Sequence, residues 1–147
     1  MSKSKPLSRG VAIVGAGMSK FGAFAEKNSR DLFVEAFKEM TKSIDKGIDP
    51  SVIESLYVGN FSSDQFEHQA HTAPLLADAD GLTPIPATRV EGACASGVLA
   101  IRQGVMAIAS GMYDVVLVGG AEKMTALTTA GVTDALATAA DVPFEIH

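Results

Sequence analysis

The sequence is poor in cysteine, histidine and basic residues, and each shortage argues against a class of function. Among 147 residues there are one cysteine, three histidines and no tryptophan. A single cysteine cannot close an internal disulfide, which is typical of a protein of the reducing cytoplasm. Lys and Arg number 12 against 17 Asp and Glu, a formal net charge of −5, so the basic face that sequence-independent nucleic-acid binding requires is not expected. No apolar run approaches the roughly 18 residues of a membrane-spanning helix.

Short apolar segments of strand character alternate with helical patterns along the chain. The predicted strands are residues 11–15, 56–59, 87–90 and 114–120. The predicted helices are residues 29–44, 67–78 and 93–110. Asn28 or Ser29 can cap the first helix, whereas Pro74 weakens the prediction of the second. This alternation is typical of an α/β layered fold with helix-covered strands.

The chain divides into three parts by composition. Residues 1–9 carry Lys3, Lys5 and Arg9 and are predicted to form a solvated, disordered tail. Residues 10–124 carry the strand and helix patterns and are predicted to form the α/β domain. Residues 125–147 are rich in threonine and alanine, with weak periodicity, which predicts a surface excursion or a loosely packed helix.

Cys94 is the strongest candidate for chemistry. It follows the strand at 87–90 and precedes an almost wholly apolar helix, in which Gly97 and Gly104 predict close packing against a neighbour. Small residues surround it, so a ligand can approach the sulfur. Backbone N–H groups at a helix start favour the thiolate and can hold an oxyanion. The competing interpretation is that a lone cysteine is a small buried hydrophobe.

Two motifs at this point resemble those of the thiolase family. The first is Val90-Glu-Gly-Ala-Cys94-Ala-Ser-Gly97, and the second is Gly119-Gly120-x-Glu122-x-Met124 after the fourth strand. The resemblance runs from about residue 10 to Met124. Within the family, the sequence is similar to the archaeal and bacterial branch of acetyl-CoA acetyltransferases and sterol-carrier-type thiolases. This resemblance implies a three-layer α/β/α half with a mostly parallel sheet and a buried central helix.

The resemblance also implies an activity. Cys94 would accept an acyl group from an acyl-CoA, and the enolate of a second acyl-CoA would attack that thioester; the reverse reaction is thiolysis of a 3-ketoacyl-CoA. No cofactor or metal is implied, because the coenzyme A thioester is the substrate. The implied setting is cytoplasmic lipid metabolism, in the mevalonate pathway. Implied partners are further copies, as a homodimer or tetramer, and a complex with hydroxymethylglutaryl-CoA synthase and a small bridging protein.

Thiolases consist of two such halves, and this chain resembles only the first. The second half supplies a histidine in a Gly-His-Pro setting and a second cysteine in a Cys-x-Gly setting, and neither occurs here. We therefore expect a fragment that is inactive alone, or a remainder supplied by another chain. In thiolases the last strand of the first half comes after the excursion that begins near Thr125 and lies between the fourth and first strands of the sheet. This chain lacks that strand, which predicts a gap in the sheet. The alternatives are a non-catalytic thiolase-like subunit and a ketoacyl-synthase-type condensing enzyme.

Other candidate sites are weaker. His68 and His71 do not match a metal-binding spacing, and His147 stands at the end of the sequence. The turn from Gly15 to Gly17 lacks the third glycine of a dinucleotide fingerprint, which favours a simple glycine-rich turn. Arg89 and Glu91 flank the third strand, where the resemblance implies a dimer interface and plain surface charge is the alternative.

Overall fold

The computed structural model describes residues 7–145 and contains helices on both faces of a parallel sheet. The strands are β1 (Ser55–Gly59), β2 (Ala87–Val90) and β3 (Val116–Gly120). The α-helices are α1 (Ser29–Lys42), α2 (Ser63–Phe66), α3 (Thr72–Ala79), α4 (Ser96–Ala109), α5 (Thr129–Ala137) and α6 (Val142–Glu145). Short 3₁₀ turns occur at Pro50–Val52, Ala93–Ala95 and Met124–Ala126.

The sheet of the described residues has the order β2-β1-β3, and both strand pairs are parallel. Leu56 and Val58 of β1 are completely buried and pack on the side of α1 and α3. On the opposite side, Gly104 of α4 packs against Val118 of β3. The predicted α/β/α layering and parallel sheet are therefore confirmed. The core cluster consists of Phe33, Ile53, Leu56, Val58, Ala73, Leu76, Ala77 and Leu82.

Local chemistry fixes the start of α1. The Asn28 side chain accepts hydrogen bonds from the N–H groups of Arg30 (2.9 Å) and Asp31 (3.2 Å). The Asp31 carboxylate accepts in return from the Asn28 N–H at 2.9 Å. This reciprocal arrangement satisfies orphan donors at the helix start and confirms the predicted cap.

The prediction of a strand at residues 11–15 is wrong for this structure. Ile13 and Val14 are 86% and 66% exposed, and the segment has no strand pairing. A cavity of about 380 Å³, lined by residues 11–17, by residues 115–120 and by apolar side chains of α1 and α4, lies at the predicted gap beside β3. A strand exists only through hydrogen bonds to a neighbour, and within residues 7–145 β3 pairs with β1 alone.

Of the predicted helix at 67–78 only the part from Thr72 onward is helical, as α3, and the short helix α2 ends before it at Phe66. Pro74 is the third residue of α3, in the first turn, where its missing N–H costs no helical hydrogen bond. The structural break comes earlier, at the loop of residues 67–71 that contains His68 with φ +55°. Predicting the helix start at 67 was therefore wrong, and proline is not what interrupts it.

Helix α4 begins and ends close to its predicted limits but is not buried on most sides. A 3₁₀ turn precedes Ser96, and Gly111, with φ +79°, follows the last turn. Val98 is 69% exposed and Ile101 is 52% exposed. Within the described residues α4 is therefore covered on one face alone, the face that packs on the sheet and carries its buried residues.

The two ends of the described chain carry looser structure. Thr128 caps α5, in which Ala135 is the buried residue, as a loosely packed helix predicts. Arg9 forms an ion pair with Asp114 at 2.6 Å, so this end of the predicted tail is held against the domain. Residues 1–6 and 146–147, with Lys3, Lys5 and His147, lie outside the described residues. Across residues 7–145, the helices fall short of the length and apolarity that crossing a bilayer demands.

Candidate active site at the carboxyl edge of the sheet

Cys94 lies where the sequence predicts, between a strand and a helix. Strand β2 ends at Val90, the 3₁₀ turn Ala93–Ala95 contains the cysteine, and α4 begins at Ser96. The Cys94 side chain is a free thiol and is exposed. In parallel α/β sheets ligands bind outside the carboxyl ends of the strands, which is where this thiol stands. Exposure argues against the interpretation of Cys94 as a buried hydrophobe, and its catalytic role remains a prediction.

Side chains of the turn itself hold the backbone beside Cys94. Ala93 has φ +48°, a left-handed conformation that side chains other than glycine seldom adopt. Its N–H donates to the Glu91 carboxylate at 2.6 Å. The hydroxyl of Ser96, which is buried, accepts from the Gly92 N–H (3.0 Å) and donates to the Ala93 carbonyl (2.7 Å). These bonds offset the strain and fix the turn that presents the thiol.

The end of β1 packs directly against the first turn of α4. A Cβ added at Gly59 would lie 2.7 Å from Cα and N of Gly97 and from the carbonyl carbon of Ser96. It is the absence of a side chain at Gly59 that lets the helix approach the sheet so closely. The position of the turn carrying Cys94 is therefore tied to the end of β1.

A buried polar network continues from the end of β1. Asn60 is 1% exposed and its side chain donates to the Ala121 carbonyl at 2.8 Å and to Glu122 at 3.1 Å. Glu122 also accepts from the N–H groups of Phe61 (2.7 Å) and Ser62 (3.2 Å). The sequence motif marks Glu122 but does not predict its bonds to this loop; a further signal is a polar residue placed directly after a buried strand, at Asn60.

Arg89 reaches the same segment from β2. Its guanidinium donates to the carbonyls of Asn60 (3.3 Å) and Phe61 and to the Asp64 carboxylate at 3.1 Å. Its side chain is 23% exposed, so simple surface charge does not describe it. Strand β2 is an edge strand in the described sheet, and the dimer interface stays a prediction.

The remaining sequence candidates are not brought to this site. A Cβ at Gly17 would overlap the backbone of α1 at Ala36 and Met40, so this glycine serves close packing, and no helix begins there to hold a phosphate. His68 and His71 are both exposed in and beside the loop that precedes α3. In the portion from 7 to 145, no three His, Cys, Asp or Glu side chains cluster in a way that could hold a metal ion.

Comparison with known proteins identifies the family. The model of the thiolase N-terminal domain matches residues 11–141. A Methanocaldococcus jannaschii protein named acetyl-CoA acetyltransferase is 50% identical over 93% of this chain and 34% of its own length. A Methanothermobacter thermautotrophicus protein of the same name is 45% identical over 93% of this chain and 35% of its own. The benzoylsuccinyl-CoA thiolase subunit BbsB of Thauera aromatica is 33% identical over 81% of this chain and 29% of its own.

The chain therefore belongs to the thiolase family, and residues 11–141 match the N-terminal domain of that family. The match extends past Met124, so the threonine-rich region that follows is part of the same family domain. The chain spans about a third of the length of the curated relatives it matches.

Proposed function

We propose that the protein acts in thiolase-type acyl transfer, with Cys94 as the nucleophile that accepts the acyl group. The observation that carries this proposal is the exposed thiol of Cys94, held in a strand–turn–helix position at the carboxyl edge of the sheet. Relatives at 45–50% identity over 93% of this chain are named acetyl-CoA acetyltransferase, which supports acetyl-CoA as the substrate.

The first chemical step follows from the site. The Cys94 thiolate attacks the thioester carbonyl of acetyl-CoA and forms a carbon–sulfur bond. Negative charge develops on the carbonyl oxygen, and backbone N–H groups at the start of α4 can stabilise it. Collapse of the tetrahedral intermediate breaks the bond to the coenzyme A sulfur, which leaves as a thiolate, and the acetyl group stays on Cys94. No cofactor enters this step.

The second step joins two carbons. The enolate of a second acetyl-CoA attacks the acetyl-Cys94 thioester, releases the Cys94 thiolate and gives acetoacetyl-CoA; thiolysis of a 3-ketoacyl-CoA is the reverse. The proton on the second substrate must be removed by a base. His68 and His71 are exposed in and beside the loop before α3 and are not assigned this role. The family resemblance implies that the residues which activate the second substrate belong to the second thiolase half, which supplies a histidine in a Gly-His-Pro setting and a cysteine in a Cys-x-Gly setting.

Acylation of Cys94 tests the proposal directly. The protein, together with the part that supplies the second thiolase half, is incubated with acetyl-CoA, quenched, digested and mapped by mass spectrometry. We expect the mass of one acetyl group on the peptide containing Cys94 and none in the variant Cys94→Ala. Cys94→Ser is the matched control, since it keeps the size of the side chain but provides a much poorer nucleophile. Acetylation that persists in Cys94→Ala, or a Cys94 that stays free in the wild-type protein, overturns the assignment.

The wider setting is part of the same proposal. We place the reaction in the cytoplasm, as the single cysteine suggests, in lipid metabolism and the mevalonate pathway. The assembly is a homodimer or tetramer, able to join hydroxymethylglutaryl-CoA synthase and a small bridging protein. Size-exclusion chromatography with light scattering tests the oligomeric state when the protein is run alone, and the complex when it is run with the synthase and the bridging protein. A single monomeric species in both experiments contradicts these two statements.

Two alternatives give different outcomes in these assays. A non-catalytic subunit binds acetyl-CoA, or a partner, without acetylation of Cys94. A ketoacyl-synthase-type enzyme transfers the acyl group from Cys94 to a malonyl thioester rather than to acetyl-CoA. The motif Gly119-Gly120-x-Glu122-x-Met124 favours the thiolase assignment.

A further inference from the structure

The segment from Asn60 to Ser62 is held from two sides by opposite charges that do not pair with each other. The carbonyl oxygens of Asn60 and Phe61 accept from the Arg89 guanidinium. The N–H groups of Phe61 and Ser62 donate to the Glu122 carboxylate. Two successive peptide groups are thus each bound at oxygen by Arg89 and at nitrogen by Glu122. Charge-assisted hydrogen bonds are the strong ones, so the orientation of these peptide planes is firmly fixed.

This segment is rigidly connected to the turn that carries Cys94. It follows Gly59, which abuts the backbone of Ser96 and Gly97 with no room for a side chain. The Asn60 N–H also donates to the Val90 carbonyl at 3.2 Å, the last residue of β2 before the turn. A displacement of the segment is therefore transmitted to both ends of the turn.

We propose that Arg89 and Glu122 are positioning residues for the Cys94 nucleophile and act through the segment they hold. This inference rests on the proposed acyl transfer to Cys94. Neither side chain touches the reacting atoms. Their role is to keep the start of α4, with its N–H groups, aligned with the thiol while the tetrahedral oxyanion forms.

The variant Glu122→Gln tests the inference at almost constant side-chain volume. The carboxylate oxygens accept from three donors, with Asn60 and Ser62 on one oxygen and Phe61 on the other. Glutamine has a single acceptor oxygen, and its amide N–H₂ must face at least one of those donors. Glu39→Gln is the matched control, because it removes the same charge from an exposed position on α1 that pairs with Lys42.

Two rates measured on the purified protein separate positioning from simple damage to the fold. We expect acetylation of Cys94 by acetyl-CoA to fall about 10- to 100-fold in Glu122→Gln, since small misplacements of reacting groups have effects of that size. Alkylation by iodoacetamide requires only an accessible thiolate and should change by less than about threefold. Glu39→Gln should match the wild-type protein in both rates.

Each outcome has a defined consequence. Equal acetylation rates in Glu122→Gln and Glu39→Gln, with both variants folded by circular dichroism, overturn the inference while the nucleophile assignment stands. Failure of the wild-type protein to acetylate at Cys94 overturns the proposed function and this inference with it. If Glu122→Gln does not fold, the same two rates are measured in Arg89→Lys, because lysine lacks the forked guanidinium that binds both carbonyls. Loss of folding in both variants, or equal losses of acetylation and alkylation, means that the network only maintains the fold and also overturns the inference.

Discussion

Substituting Gly59 by alanine perturbs the closest contact between the sheet and α4. The added Cβ would lie 2.7 Å from three backbone atoms, Cα and N of Gly97 and the carbonyl carbon of Ser96. Carbon atoms in ordinary contact are about 3.5 Å or more apart, so the helix start must move by roughly 0.8 Å. None of these atoms belongs to a flexible side chain that could turn aside.

The expected cost of Gly59→Ala follows from this geometry. Overpacking costs about 1–3 kcal/mol, and the upper part of this range applies because the backbone itself must shift. For a chain of this length that corresponds to a decrease of about 5–10 °C in Tm. Because the displaced turn carries Cys94, acetylation by acetyl-CoA should also fall about 100-fold.

Gly97→Ala is the matched control on the other side of the same contact. Apart from the adjoining residues and the backbone of α4 itself, no described atom lies within 4 Å of a Cβ added there. Alanine is preferred to glycine in a helix by up to about 1 kcal/mol, so Tm should stay constant or rise. Thermal unfolding followed by circular dichroism compares the two variants. A Gly59→Ala protein as stable as wild type, or a Gly97→Ala protein equally destabilised, refutes the close contact inferred from the structure.

Three further predictions concern single side chains and are measured by urea unfolding. Asn28→Ala removes the cap of α1 and should lower the free energy of unfolding by about 1 kcal/mol, whereas Asn28→Ser should keep most of that stability because serine also caps helices well. An unchanged stability of Asn28→Ala would contradict the capping geometry. Burial raises the pKa of Asp80 from 3.8 to about 6, so the folded state favours its protonated form and stability is lost as the pH rises through this window. Asp80→Ala should therefore stabilise by about 1 kcal/mol at pH 8, a value discounted for partial solvent exposure, and not at pH 4, and an equal effect at the two pH values would contradict this. Ser96→Ala should cost about 1–2 kcal/mol by leaving the part-buried Gly92 N–H and Ala93 carbonyl without this partner, and an unchanged midpoint would contradict this.

Much of the fold could be predicted from local sequence because local chemistry determines it. Asn28 and Asp31 satisfy the same helix end that they predict, and the strand at 87–90 coincides with β2. Features that depend on distant partners could not be predicted in this way. Residues 11–15 have the composition of a strand, but a strand also needs a free edge at hydrogen-bonding distance, and this information is absent from the segment itself.

In the candidate site, too, local features could be predicted from the sequence and contacts between distant residues could not. Cys94 could be found from its sequence because small residues, a preceding strand and a following helix are all local signals. The bonds of Glu122 to the loop after β1 join residues about 60 positions apart in the chain, and only the fold brings them together. The family motif marks Glu122 without giving a reason for it. The structure supplies that reason, since its carboxylate binds the backbone beside the turn of Cys94.

The glycines of α4 show how a correct prediction can have a different physical cause. Both Gly97 and Gly104 predict close packing from their unfavourable helix propensity. At Gly104 the cause is direct, because a Cβ there would lie 2.5 Å from Val118 Cγ2. At Gly97 the approach is equally close, but Gly59 is the residue whose missing side chain permits it. The helix therefore meets the sheet along two glycine contacts, one on β3 and one at the end of β1. The second contact lies three residues from Cys94, so the spacing between sheet and helix also fixes where the thiol stands at the carboxyl edge.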